Sequence, residues 1–248
     1  MIAAELSSSC ATSAGGGIYA GSAPAMSGGV QRSSSEPLTP EERSGLATGR
    51  GPEKPSRTWE RDFIRASDQP AGSDAIYYND PQGIRAMSPD LKPVAAMQET
   101  AGGLVEWGVR GKASFLMSYR ENGAGRRLVQ GEKDSAYSLV VRNKSLCTVE
   151  VVFSVDGLDV IDGQPASFRK RGYLIDGGET FVVEGFRTNK QSVAEFRFSS
   201  VAGSFANQSH GNTRNLGVLG LAVFTSRNDQ THAAPPGDFP GGARPSLQ

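Results

Sequence analysis

Three groups of residues in this 248-residue chain have types and spacings that suit chemistry. Asp156, Asp159 and Asp162 recur every third residue, and clustered carboxylates are the hard oxygen ligands that calcium takes. Two of the three stand directly before a glycine, in Asp156-Gly157 and Asp162-Gly163, which is tight-turn chemistry. Turn formation accounts for the spacing without a metal, so no metal or other cofactor is assigned. Ser204, Ser209 and His210 fall close together in a polar stretch, and a serine beside a histidine is a nucleophile beside a base. No motif supplies an orienting acid or an oxyanion hole. HExxH, GxSxG and Walker A strings are absent, and no GxGxxG sits between a strand and a helix. No catalytic residue is therefore assigned.

The third group is Arg169-Lys170-Arg171, the densest basic patch, which follows Phe168. With Gln164 and Tyr173 it makes a candidate binding loop for an anionic protein or an envelope polymer, because a long loop on a rigid scaffold commonly carries recognition. Nucleic acid is not expected as a partner. Lys+Arg and Asp+Glu number 26 each, so no overall positive field draws a polyphosphate. No apolar run reaches the roughly 18 residues of a membrane-spanning helix. Two cysteines and two histidines also leave little material for a zinc module or a disulfide framework.

The elements that must position these residues read as strands. Val149, Val151, Phe153 and Val155 alternate with Thr148, Glu150, Val152 and Ser154, the period-two pattern of a half-buried strand. Asp156-Gly157 then predicts a two-residue type I′ turn and a return strand over 158–161. A second hairpin is expected from 173–175 through Asp176-Gly177-Gly178 to 180–186. Tyr137, Leu139 and Val141 share one face, as do Phe196 and Phe198. Residues 192–195 have capping-box spacing and allow one helical turn. Residues 217–225 are apolar on both faces and predict a central strand. Residues 104–109, 114–120 and 127–133 can each add a strand. Arg142, Lys144 and Glu150 are expected to interrupt exposed faces and discourage edge pairing. Cys147 has the parity of Val149 and Val151 and reads as a small buried hydrophobe.

The fold expected is all-β, an antiparallel β-sandwich or small barrel spanning 104–225. Residues 1–58 read as a long disordered, low-complexity arm. Residues 59–103 read as a mixed linker, with Trp59, Phe63 and Ile64 spaced for a short amphipathic helix near 57–66. Residues 226–248, which include His232, read as a short disordered tail.

The strings VEVVFSVDGLDVIDGQPAS, RGYLIDGGETFVVEGFR, VAEFRFSS and NLGVLGLAVF, between residues 137 and 224, resemble a family of bacterial, exported, β-rich proteins to which no activity is attached. The resemblance implies architecture rather than mechanism. LSSSCATS, at residues 6–13, looks like the cleavage region of a bacterial lipoprotein, which would make Cys10 the lipidated residue. The basic and apolar segments of such a signal are missing before Cys10, so this expectation requires a start upstream of Met1. Membrane contact would then run only through the lipid anchor. The leading expectation is a non-catalytic, tethered envelope protein with a binding or structural role. A soluble cytoplasmic accessory subunit is second, and a hydrolase using the Ser204/His210 loop is third.

Overall fold

Alternating apolar residues form strands along most of the chain that the computed structural model describes, namely residues 43–123, 125–211 and 213–227. The expected tail beyond residue 227, the first 42 residues of the expected arm, Cys10 and His232 lie outside the described residues. The first strands are β1 (Leu46–Pro55) and β2 (Gly72–Asn79), followed by helix α1 (Pro81–Met87). Next come β3 (Leu91–Val94), β4 (Gln98–Thr100), β5 (Val105–Gly111), β6 (Ser118–Glu121) and β7 (Arg127–Gln130). The long strands β8 (Ala136–Asn143) and β9 (Val149–Val155) precede the short β10 (Leu158–Asp159) and β11 (Tyr173–Ile175). The chain closes with β12 (Thr180–Val183), β13 (Gly185–Asn189), β14 (Ser192–Ser200), helix α2 (Phe205–His210) and β15 (Val218–Thr225).

These strands make two sheets that bury a shared apolar core. The seven-stranded sheet runs β1-β14-β8-β5-β4, with β12 also on β8 and β13 also on β14. The eight-stranded sheet runs β10-β9-β15-β2-β7-β6-β3, with β11 also on β9. Pairing is antiparallel except between β2 and β7, which run parallel from Ile76 opposite Arg127 to Asn79 opposite Gln130, so this sheet is mixed. Val151, Phe153, Leu219, Leu221 and Val223 from one sheet pack with Trp107, Leu139, Val141, Phe196 and Phe198 from the other. The apolar β15 is central, between β9 and β2, as its two-faced hydrophobicity predicts. Asp156 and Gly157 have φ of 53° and 80°, the two positive values that a type I′ turn requires. The return strand after that turn is only Leu158–Asp159, shorter than expected.

The sandwich begins at Leu46 rather than residue 104, because the expected arm and linker contribute four of its strands. Strand β1 carries Pro52 and Pro55, yet it lies at a sheet edge paired only to β14. Its register shifts between Arg50 and Glu53, where a missing N–H costs no ladder bond. Strand β2 hides its pattern because Asp74, on the parity of buried Ile76 and Tyr78, accepts a 2.7 Å bond from Trp107 Nε1. Buried Arg127 donates to the carbonyls of Ala96 and Trp107 beside it, and burial lowers its pKa to about 10.

Five further expectations are corrected. Residues 57–66 are an extended strap, not a helix: Thr58 N–H bonds Lys190 O, Ala66 N–H bonds Thr225 O, and Trp59 points into solvent. Residues 173–183 are not a hairpin, because β11 joins β9 in one sheet while β12 joins β8 in the other. The corner between them needs its glycines: a Cβ on Gly177 would lie 2.4 Å from Leu146 O, and Gly178 has φ of 77°. Residues 192–195 are part of β14, since Val193 and Ala194 have antiparallel partners on both sides. Glu150 also differs from expectation, being buried beneath Arg65 rather than guarding an exposed face. Cys147 is only half-buried, in the turn before β9, where its carbonyl accepts from Asn143 Nδ2.

A buried polar chain crosses the core. Asp156 Oδ2 accepts from Thr48 N–H at 2.7 Å, and Oδ1 accepts from Tyr78 O–H at 2.7 Å and Gly217 N–H at 2.9 Å. Thr48 Oγ1 lies 2.7 Å from the hydroxyls of both Tyr78 and Tyr137. With Tyr78 donating to Asp156, the remaining protons run from Tyr137 to Thr48 and from Thr48 to Tyr78. Burial pushes the Asp156 carboxyl up to about 6, against these three donors, and pushes both tyrosines well above their usual value. A carboxyl whose folded pKa is raised contributes stability below its unfolded pKa and loses it as pH climbs through about 6. Asp156→Asn keeps the left-handed turn but turns an amide N–H toward a donor, which costs about 1–3 kcal/mol. Urea titrations should show this loss largest near pH 4 and shrinking toward pH 7.5; a pH-independent difference would contradict the assignment.

Candidate functional site

The expected basic loop forms one wall of a groove of about 1650 Å³, and the strap at 57–69 forms the opposite wall. Several contacts hold the strap down. Arg61 donates to both carboxylate oxygens of Asp176, at 2.5 and 3.1 Å, and Lys190 pairs with Glu60 at 2.8 Å. The Arg61 guanidinium and the Thr148 hydroxyl hold the Asp176 carboxyl at about 2. Arg187 Nη1 donates to Ser56 O at 2.8 Å, while its Nε reaches the Tyr173 hydroxyl at 3.2 Å.

The loop wall is fixed by one ion pair. Arg65 lies 3.6 Å over the Phe224 ring, and its Nε donates to Glu150 Oε2 at 2.6 Å. Its other two nitrogens donate to the carbonyls of Phe168 and Lys170. The second Glu150 oxygen accepts from Gly172 N–H at 2.6 Å. Backbone groups at 168, 170 and 172 are therefore clamped, and Arg169 and Arg171, between those anchors, remain exposed on the loop. Lys170 leaves the groove instead, with Nζ 2.6 Å from both Asp162 oxygens. Among the described residues no ion pair involves Arg57, Arg169 or Arg171, all exposed at this groove. Trp59 is 84% exposed and Phe168 47% exposed.

Of the expected binding loop, the structure places Phe168, Arg169, Arg171 and Tyr173 at the groove. Tyr173 is buried and committed to Arg187, and Lys170 is committed to Asp162. Gln164 stands apart, closing a turn through Gln164 N–H to Asp162 Oδ1 and Asp159 N–H to Gln164 O. Arg57, Trp59, Arg61 and Arg65 were not among the expected site residues. Their signal is the string RTWERDFIR at 57–65, in which arginines and aromatics alternate.

The other chemical candidates do not converge. Ser204 is fully buried and accepts from Asn207 N–H as the N-cap of α2, whereas His210 ends that helix with Nε2 2.9 Å from Gly163 O. Six residues of helix separate the two by roughly 9 Å along its axis. Asp156 faces the core and Asp162 faces Lys170. Asp159 Oδ1 accepts from the N–H groups of Ile161 and Asp162. A second hollow of about 670 Å³ is floored by small residues of the eight-stranded sheet, including Ser73, Ala75, Ser154 and Gly220. Of its arginines, Arg126 is engaged by Glu121 and Arg120 by Gln98 Oε1 and Gly125 O, whereas buried Arg127 has Nη1 3.8 Å from Asp74 and neither Nε nor Nη1 in a hydrogen bond among the described residues. No family profile, curated protein or solved structure matches the chain.

Arg65→Ala should release the 168–172 loop. Loss of one partner leaves Glu150 buried and uncompensated, at a cost of about 3 kcal/mol. Brief trypsin digestion should then cut at residues 169–171 many times faster than in the parent protein, and equal cleavage rates would show that the loop is held by something else.

Proposed function

We propose that this protein is a non-catalytic binding module of the cell envelope, whose β-sandwich presents a basic, aromatic-rimmed groove to an anionic partner. The observation that carries the reading is the division of charge in the groove. Arg61, Arg65 and Lys190 are spent on Asp176, Glu150 and Glu60, which shapes the walls. Among the described residues Arg57, Arg169 and Arg171 are in no ion pair and are exposed beside Trp59 and Phe168, with Arg171 acting on Glu60 only through a longer-range attraction. Guanidinium groups pair planar oxyanions through two parallel N–H bonds, so three of them around one groove favour carboxylate or phosphate groups. The backbone clamp at 168–172 lowers the ordering cost of such an encounter, because the loop is already in place. The lipoprotein-like string around Cys10, and the resemblance of residues 137–224 to exported proteins, support the envelope location.

Arg169→Ala/Arg171→Ala should lower retention of the full chain on envelope material at least tenfold at low salt. Its unfolding free energy should stay within about 0.5 kcal/mol of the parent, since both side chains are exposed and in no ion pair among the described residues. Unchanged retention would overturn the groove as the binding surface. In the native host, Cys10→Ser should move the protein from the membrane to the soluble fraction, and an unchanged distribution would remove the anchor from the reading.

A further inference from the structure

Resting on that reading, we propose that the groove's ligand is an acidic polysaccharide, with sugar rings against Trp59 and Phe168 and its acid groups on Arg57, Arg169 and Arg171. Size is the first argument. At about 1650 Å³ the groove exceeds the roughly 300–1000 Å³ of a site for one small molecule, so it suits several units of a polymer.

Charge density is the second. The lining holds seven cationic side chains against four carboxylates, and four of the seven are committed to partners within the fold. A polyphosphate, with one charge on every unit, would meet the carboxylates of Glu60, Asp68 and Asp176 as well as the free arginines. An acidic polysaccharide, which sets hydroxyl groups beside each acid group, meets a better match, because those carboxylates accept hydrogen bonds from hydroxyl groups. The exposed amide of Gln69 offers both a donor and an acceptor to the same chemistry.

Aromatic exposure is the third. A Trp that is 84% exposed and a Phe that is 47% exposed, both on the groove, offer flat faces without a deep apolar pocket. The negative face of an aromatic ring attracts the polarised C–H face of a sugar ring. An acidic peptide gains most from pockets for its side chains, which ring faces in open solvent do not provide.

Affinity electrophoresis of the full chain tests this, with polygalacturonate, neutral dextran, poly-glutamate and oligo-dT each cast into native gels. Retardation is expected in polygalacturonate and not in dextran, with at least fivefold weaker binding for Trp59→Ala and tenfold for Arg169→Ala/Arg171→Ala. Both variants alter exposed side chains, and unchanged thermal unfolding would confirm that they fold. Equal or stronger retardation by poly-glutamate or oligo-dT, or an unaffected Trp59→Ala, would overturn the polysaccharide while leaving an anion-binding groove. Retardation by none of the polyanions would overturn the groove reading itself.

Discussion

A carboxylate enclosed between two sheets, with no cationic partner among the described residues, is the constraint around which the fold is arranged. Asp156 gives up hydration, and burial of an ionisable group is tolerated only where fixed donors replace the lost water. Those donors come from segments far apart in the chain: the edge strand at Thr48, β2 at Tyr78 and the approach to β15 at Gly217. Tyr137 extends the chain of hydroxyls to β8. The same tyrosine rings pack against Phe196 and Phe198, with centroids 4.4 to 5.3 Å apart for the three closest of these pairs, so the polar chain runs through the aromatic core without opening it. A one-residue slip in β1 would turn Thr48 away and leave a buried acceptor short of its partner, which makes register a matter of electrostatics as well as packing.

The groove depends on this framework at one remove. Neither of its walls is regular structure; each is a segment tied to sheet residues by charge and backbone hydrogen bonds. Arg65 uses the ring of Phe224, on the outer face of β15, as a platform, and Glu150 of β9 as an anchor. Because both strands are interior to the sheet and paired on both sides, the carbonyls at 168 and 170 receive donors from a side chain tied to the framework. The result separates two uses of arginine. Those paired with carboxylates define the shape of the groove, and Arg57, Arg169 and Arg171, in no ion pair among the described residues, are left exposed beside it.

Alternation along β8, β9 and β14 was legible, as were the two-faced hydrophobicity of β15 and the Asp156-Gly157 turn, because residue pattern and positive φ leave local marks. The edge strand β1 and the inward-facing Asp74 of β2 left no such mark. Their stabilising partners, β14 and Trp107, are distant in the chain, and nothing within residues 46–79 announces them. The turn at 176–178 announced a change of direction but not that its two sides belong to different sheets. In the site, Phe168, Arg169 and Arg171 stood out as a short string. The strap did not, because Trp59 and Phe63 at helical spacing imitate a buried face, whereas Trp59 is exposed and Phe63 only half-buried.

Local residue order therefore determined the all-β character, the principal turns and the presence of a basic, aromatic loop, since each follows from interactions within a few residues. The tertiary structure alone decided which cations of that loop are available. Lys170 meets Asp162 eight residues away, whereas Arg65 meets Glu150 across 85 residues and thereby fixes the backbone between Phe168 and Gly172. Ion pairing depends on where side chains are brought in space, and composition carries no record of that meeting.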